Sequence, residues 1–318
     1  MTARKDNFRK GSTRRFFQEG RKTEDYSLFD FLHGYVYGRW PYFYIGVGTG
    51  EHPLNRYVRP LFNLLTGLFD RSLGEQGAAG SVSFADTYHG KVVTTDSASH
   101  LIRIEEEVQF KDLEPIVPYA RARDIIIKNP DQIVVLDCPC RTVRADPCTP
   151  LDVCLIVGEP FASFVLDHQP DRARAVDADE AGEILKAEHE RGHVHHAFFK
   201  DAMLQRFYAI CNCCTCCCGA MEAQRNGTNM LASSGYLCRV EETHCRGCGV
   251  CEAMCPFGAV ILVEGIPVIA DEACMGCGIC VSHCEENALW LERAPHKGQP
   301  LEIKELMEEA ARKANYTG

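Results

Sequence analysis

Residues 245–284 carry one cysteine pattern twice. Cys245, Cys248, Cys251 and Cys255 are followed by Pro256, and Cys274, Cys277, Cys280 and Cys284 repeat the same intervals. Thiolates are soft ligands, and three cysteines on a tight loop can wrap three corners of an iron–sulfur cubane. The fourth iron needs a ligand from elsewhere, and in this spacing the last cysteine of each run serves the other run's cluster. Two [4Fe–4S] clusters are therefore expected, one on Cys245, Cys248, Cys251 and Cys284, the other on Cys274, Cys277, Cys280 and Cys255. Zinc would use Cys-x2-Cys pairs and leave Cys251, Cys255, Cys280 and Cys284 idle at matching positions.

On these motifs residues 238–293, about a sixth of the chain, resemble the bacterial two-cluster ferredoxins. The resemblance implies a βαββαβ arrangement and electron transfer. The residues suit it: 237–240, 259–263, 267–270 and 289–291 read as short strands, and 250–255 and 279–284 as single helical turns. Gly247, Gly249, Gly276 and Gly278 allow positive φ, which turns backbone N–H groups toward cluster sulfurs. Glu285 departs from the pattern, standing where a proline follows the first run. With Glu286 it either lowers the first cluster's potential or forms an ordinary solvated acidic surface.

A second set of thiols lies upstream: Cys138, Cys140, Cys148 and Cys154, then Cys211, Cys213, Cys214, Cys216, Cys217 and Cys218. On a helix, Cys211, Cys214 and Cys218 would share a face; on an extended segment, Cys211 and Cys213 would point the same way. Cysteines of the first group joined to two or more of the second would make a further metal site, and Cys138, Cys140, Cys148, Cys154, Cys211, Cys213, Cys214 and Cys217 are its candidate ligands. A third iron–sulfur cluster, a zinc ion or purely structural thiols are the three readings. Residues 115–220 resemble a module of cysteine-rich proteins that end in a two-cluster ferredoxin, with a Cys-Pro-Cys-Arg start at 138–141 and the thiol run at its end; no activity comes with that resemblance. Cys217-Cys218-Gly219 is more faintly similar to the CCG motif of heterodisulfide-reductase catalytic subunits, but only one copy occurs. Arg141 and Arg144 would balance thiolate charge, bind an anion, or form plain ion pairs. His193, His195 and His196 offer a ligand or proton relay, or a surface cluster at the start of a helix over 198–207.

These sites must be held by the rest of a 318-residue chain with 46% hydrophobic residues and a net charge of −10. The expected fold is α+β: a basic arm (1–25), a helical aromatic-rich region (26–117), a mixed α/β cysteine-rich module (118–237), the ferredoxin-like dicluster domain (238–293) and a charged helix or tail (294–318). Within the module a helix is expected over 118–129, a strand over 132–136 and a helix over 178–191 capped by Asp177 or Asp179 and ended near Gly192. Nineteen cysteines, an odd number with six crowded into 211–218, exclude a tidy disulfide framework and point to a reducing, anaerobic cytoplasm.

The arm carries Arg4, Lys5, Arg9, Lys10, Arg14, Arg15, Arg21 and Lys22. It reads as mobile and solvated, or as a dock for an acidic partner or an anionic membrane face. Thr13-Arg14-Arg15-Phe16-Phe17 resembles a twin-arginine export signal, yet the apolar stretch such a signal needs is missing. The acidic body argues against nucleic acid. No uncharged apolar run is long enough to span a bilayer. The aromatic stretch 29–45 is expected to be a buried helix packed on a helix over 61–69, with peripheral membrane contact or the lining of a quinone-like pocket as the other readings; Gly46, Gly48 and Gly50 read as a loop. The partners expected are redox proteins. An electron relay is the first reading and an oxidoreductase subunit reducing a disulfide, quinone or other small acceptor the second; a metal sensor or cluster-delivery protein is the third.

Overall fold

The computed structural model of the chain describes residues 10–55, 88–111, 113, 115–119 and 124–316. Its helices are α1 Gly11–Gly20, α2 Leu28–Arg39, α3 Pro41–Thr49, α4 Thr95–Leu101, α5 Pro139–Thr142, α6 Phe161–His168, α7 Ala178–Glu190, α8 Gly219–Arg225, α9 Val250–Met254, α10 Ile279–Ser282 and α11 Ile303–Tyr316. The architecture is mixed α and β. The strands β1 Tyr88–Val93, β2 Val108–Phe110, β3 Ile125–Asp137, β4 Asp152–Glu159, β5 Ala173–Val176, β6 Val194–Lys200, β7 Arg206–Cys213 and β8 Leu231–Ala232 form one sheet. Their order is β2-β3-β4-β7-β6-β1-β8, with β5 beside β3. The ladders are antiparallel except β1 with β8.

Successive strand residues point to opposite faces, so the sheet divides two cores. Ile133, Val135, Leu155, Val157, Ala197 and Phe199 pack beneath α4, α7 and the start of α11. Val134, Leu136, Cys154, Ile156 and Phe198 face the other way, toward α1, α2 and α6. Strand β1 comes from the stretch expected to be helical, and pairs with β6 inside the sheet.

Two expected helices are strands. Residues 125–129 belong to β3, where the β-branched run Ile125-Ile126-Ile127 favours extended backbone. The 198–207 stretch is the end of β6, a turn and the start of β7, with Leu204 and Gln205 at φ 60 and 55. Central strands covered on both faces are continuously apolar, and periodicity cannot separate such runs from a buried helix. His193, His195 and His196 are therefore buried on or beside a strand rather than exposed at a helix start. Helix α7 matches its expectation: the Glu180 N–H donates to Asp177 Oδ1 at 2.8 Å, and Gly192 at φ 79 follows its end.

The basic arm is not wholly mobile. Residues 11–20 form α1, whose Phe16 is fully buried and meets the rings of Phe31, Phe161 and Phe164 edge-on at 5.4, 5.7 and 5.4 Å. Thr13 Oγ1 lies 2.9 Å from His168 Nε2. Residues 1–9, and the 61–69 helix expected to cover the aromatic stretch, lie outside the described residues. That stretch forms α2 and α3. Gly46 and Gly48 lie inside α3 rather than in a loop, and Gly50 closes the helix at φ 85. A Ser27–Asp30 capping box starts α2, and Leu28, Phe29, Leu32 and Val36 leave one face of it exposed. No helix among the described residues is long and apolar enough to cross a membrane.

The C-terminal segment runs β9 Tyr236–Val240, α9, β10 Val260–Val263, β11 Ile266–Ile269, α10 and β12 Leu289–Arg293. Strands β9 and β12 pair with each other, as do β10 and β11. The segment leans on the sheet module through Met275 and Ile279, which are buried in the core that holds Val194, Phe198 and Cys213.

Candidate metal centres

Both cysteine runs of the C-terminal segment enter a short helix through a glycine: Gly249 caps α9 at φ 78 and Gly278 caps α10 at φ 82. The loop before α10 has no space for a side chain. A Cβ on Gly276 would lie 2.2 Å from the Tyr236 carbonyl oxygen, and one on Gly247 would lie 2.7 Å from that of Gly265. The loops thus approach neighbouring backbone as only glycine permits.

Cys245, Cys248, Cys251 and Cys284 line a cavity of about 380 Å³. Cys255, Cys274, Cys277 and Cys280 line another of about 340 Å³, together with Cys238. In both, the last cysteine of one run joins the first three of the other. Backbone N–H groups already point at sulfur: Gly247 to Cys245 at 3.4 Å, Ala259 to Cys255 at 3.2 Å and Ala288 to Cys284 at 3.4 Å. The Val250 N–H, helped by Arg246, lowers the Cys248 pKa, whereas burial raises that of Cys277. Arg246 also holds Glu285 at 2.7 Å and Glu286 at 2.8 Å, so it offsets part of the negative charge beside the first cavity. Cys238 has no motif partner in the sequence. Strand β9 nevertheless brings its sulfur to 3.5 Å from that of Cys280.

In the sheet module the thiols are assembled by strand register. The β4–β7 pairing Leu155↔Ile210 sets Cys154 beside Cys211. The β3–β4 pairing ends with the Cys138 N–H donating to Leu151 O at 2.7 Å. Cys211 and Cys213 lie two apart on β7, hence on one face. Cys140 lies in the first turn of α5, and Cys218 caps α8. Hydrogen-bonding contacts run along six thiols in the order Cys211, Cys154, Cys138, Cys140, Cys218, Cys213. They line a cavity of about 490 Å³ with Tyr37, Tyr88, Phe198 and Arg141. Contact with Cys140, with burial added, pushes Cys138 up to about 12; burial carries Cys213 to about 12 against the lowering by its bond to Cys218. Such a set stays protonated until a metal cation displaces the protons.

Of the expected ligands, Cys148 and Cys217 lie outside this pocket, whereas Cys214 lines it as a seventh thiol. Cys148, Cys214 and Cys216 place their sulfurs within 4.8 Å of one another. Cys217 lies 3.5 Å from Cys216, sulfur to sulfur, and accepts the Cys148 N–H at 3.4 Å. By sulfur contacts the expected single ligand set is thus two groups that meet at Cys214, and Cys216 and Cys218, absent from it, belong one to each. What separates them is the backbone: 211–213 is strand, 214–217 is a turn, and Cys218 starts a helix.

Arg141 is fully buried between the groups. It donates to Glu188, to Pro150 O at 2.5 Å and to Asn212 O at 3.0 Å. Those internal partners suit charge balance rather than capture of an anion. Glu188 also meets His193 Nδ1 at 2.7 Å, and His193 Nε2 lies 3.6 Å from Cys148 Sγ. Buried His195 is kept neutral, its pKa pushed down to about 4 by desolvation, with Asn212 Oδ1 at 2.6 Å. Behind the six-thiol pocket, Lys200 is pushed down to about 7 by burial and lies 4.4 Å from the Tyr88 ring centre. Tyr37 and Tyr208 share a hydrogen bond of 2.8 Å. Lys200, Tyr88 and Tyr208 carry no spacing signal, whereas Tyr37 belongs to the aromatic stretch whose readings include the lining of a pocket.

Residues 244–289 match a family model described as a 4Fe-4S dicluster domain. The C-terminal segment is a ferredoxin-type iron–sulfur domain. No curated protein and no solved structure matches the chain. The family match ends well short of the sheet module, so the upstream thiols rest on their own geometry.

Proposed function

We propose that the chain is an electron-transfer protein with two [4Fe–4S] clusters in the ferredoxin-type domain and a third iron–sulfur site in the sheet module. Cys245, Cys248, Cys251 and Cys284 hold the first cluster; Cys274, Cys277, Cys280 and Cys255 hold the second. Ligands of the third come from Cys138, Cys140, Cys154, Cys211, Cys213 and Cys218. One observation carries the reading: a single apolar core packs Met275 and Cys277 of the second cavity, with Ile279 of the adjoining helix α10, together with Cys140, Cys211 and Cys213 of the six-thiol pocket. A dry, packed connection of that kind favours short electron hops and tunes potential by excluding water.

Exposed Cys248 puts the first cluster nearest to solvent, so a redox protein partner exchanges electrons there. The chain acts in an anaerobic cytoplasm, where clusters on free thiolates persist. The exposed face of α2 serves peripheral contact with a partner or membrane.

A second reading has one observation in its favour. Six thiols exceed what one cubane needs, and Lys200 with Tyr37 and Tyr88 supplies protonatable groups beside them. On that reading the pocket reduces a disulfide, quinone or other small acceptor. Iron and acid-labile sulfide counting on anaerobically purified protein tests the main proposal: three cubanes give about twelve irons and two give about eight. Eight would remove the third site. Turnover of a small acceptor by chemically reduced protein would favour the second reading over a relay.

A further inference from the structure

The thiols outside the chain of six contacts, with Cys214 at the border of the pocket, have their own geometry, and it is not that of a cubane. Cys148, Cys214 and Cys216 hold their sulfurs mutually within 4.8 Å. Cys217 extends the group through the 3.5 Å approach to Cys216 and through contact with Cys214. Four thiolates around one ion with bonds of about 2.3 Å stand about 3.8 Å apart along each tetrahedral edge. Cubane ligands stand further apart, because each sulfur hangs on a different iron. The spacing here fits one ion.

We propose that Cys148, Cys214, Cys216 and Cys217 bind a single zinc ion, separate from the iron–sulfur sites. Four thiolates on Zn²⁺ leave two negative charges, and the surroundings answer them. Arg141 and Arg144 are the nearest cations, each held by a carboxylate. Arg144 also donates to the Cys217 carbonyl oxygen at 3.3 Å. His193, oriented through Nδ1 by Glu188, turns Nε2 toward Cys148 Sγ. Groups that hydrogen-bond to a ligand from behind are what fixes the geometry of a metal site.

The ion has a structural task. Cys148 lies in the connection between α5 and β4, and the other three lie between β7 and α8. Those two connections also carry ligands of the six-thiol pocket, Cys140 ahead of Cys148 and Cys218 behind Cys217. One ion tying them together fixes both rims of the pocket, and no open coordination position is left for chemistry.

Metal analysis of the full chain, purified anaerobically from cells supplied with zinc, tests the proposal. About one zinc per chain is expected, with X-ray absorption at the zinc edge showing about four sulfurs at about 2.3 Å. Cys216→Ser, at an exposed position, should lower zinc content by at least about five-fold and leave iron and sulfide unchanged. Absence of zinc overturns the proposal. So does a zinc shell containing a nitrogen, which would give the fourth corner to His193, and so does iron falling in step with zinc. The absorption measurement needs no variant, so a misfolded Cys216→Ser leaves the proposal falsifiable. An iron count of eight would remove the third cluster without touching the zinc.

Discussion

The two cysteine-bearing regions solve one problem in opposite ways. In the ferredoxin-type domain each ligand triplet lies within seven residues of chain, and glycines shape the loop around it. In the sheet module Cys154 and Cys211 come from two strands and Cys138 from the residue just past the end of a third, and they meet only because the register places them side by side. The first kind of site depends on local backbone conformation; the second depends on the whole sheet being formed. Damage to strands should therefore spread to the module's thiol cluster and spare the ferredoxin loops.

The largest effect should come from removing ligands. Cys138→Ser with Cys140→Ser should eliminate about four irons and preserve the paramagnetic signals of the reduced dicluster domain. Cys277→Ser should do the reverse, unless the shared core makes both sites fail together, in which case the regions are not separable. Iron analysis and low-temperature electron paramagnetic resonance read both.

Next comes Arg141→Met, which leaves buried Glu188 with His193 and the half-exposed Arg191 as its remaining partners. Removing one partner of a buried ion pair costs about 3–5 kcal/mol when the other is left alone and less where such partners remain, so the sheet module should melt before the ferredoxin-type domain. Adding Glu188→Gln should recover part of the loss. A single transition at the native midpoint would mean that the pair does no such anchoring.

A smaller effect is expected with pH. Burial, with Lys10 and Arg39 nearby, pushes His168 down to about 4. In the unfolded chain it titrates near about 6.5. Between those values the unfolded state binds the proton and the folded state does not. Stability is therefore full above 6.5, falls as the pH drops toward 4, and levels off below. Urea titrations across that range should show the loss, and His168→Gln should make it shallower without removing it, because burial also pushes His33 and His195 down to about 4 and His196 to about 3.

The smallest effect belongs to Cys238→Ala. Deleting the sulfur 3.5 Å from Cys280 should lower the potential of one centre and leave the other alone, because a thiol donor to a ligand sulfur stabilises the reduced cluster. Equal shifts at both centres would show that the contact is not specific.

The difference between the regions also explains what could be read in advance. Ligand spacing, loop glycines, strands and helical turns of residues 236–293 were legible because each follows from neighbours in the chain. Helix α7 was legible for the same reason, through Asp177 and Gly192. The helices expected over 118–129 and 198–207 failed because a strand buried on both faces lacks the alternation that reveals it. The thiol run 211–218 was visible as chemistry, but its division was not: whether Cys213 and Cys214 serve the same site depends on where β7 stops. Cys238, Lys200, Tyr88 and Tyr208 are single residues made relevant by distant partners, and nothing local marks them; Tyr37 alone stands out, through the aromatic stretch around it.

The shared core around Met275 and Ile279 has a consequence for how this chain can be taken apart. Its ferredoxin-type end is not a cartridge that could be exchanged for a free-standing homologue. A transplant would have to reproduce the apolar underside that Met275 and Ile279 bury against the sheet module, or that surface would be left open to water.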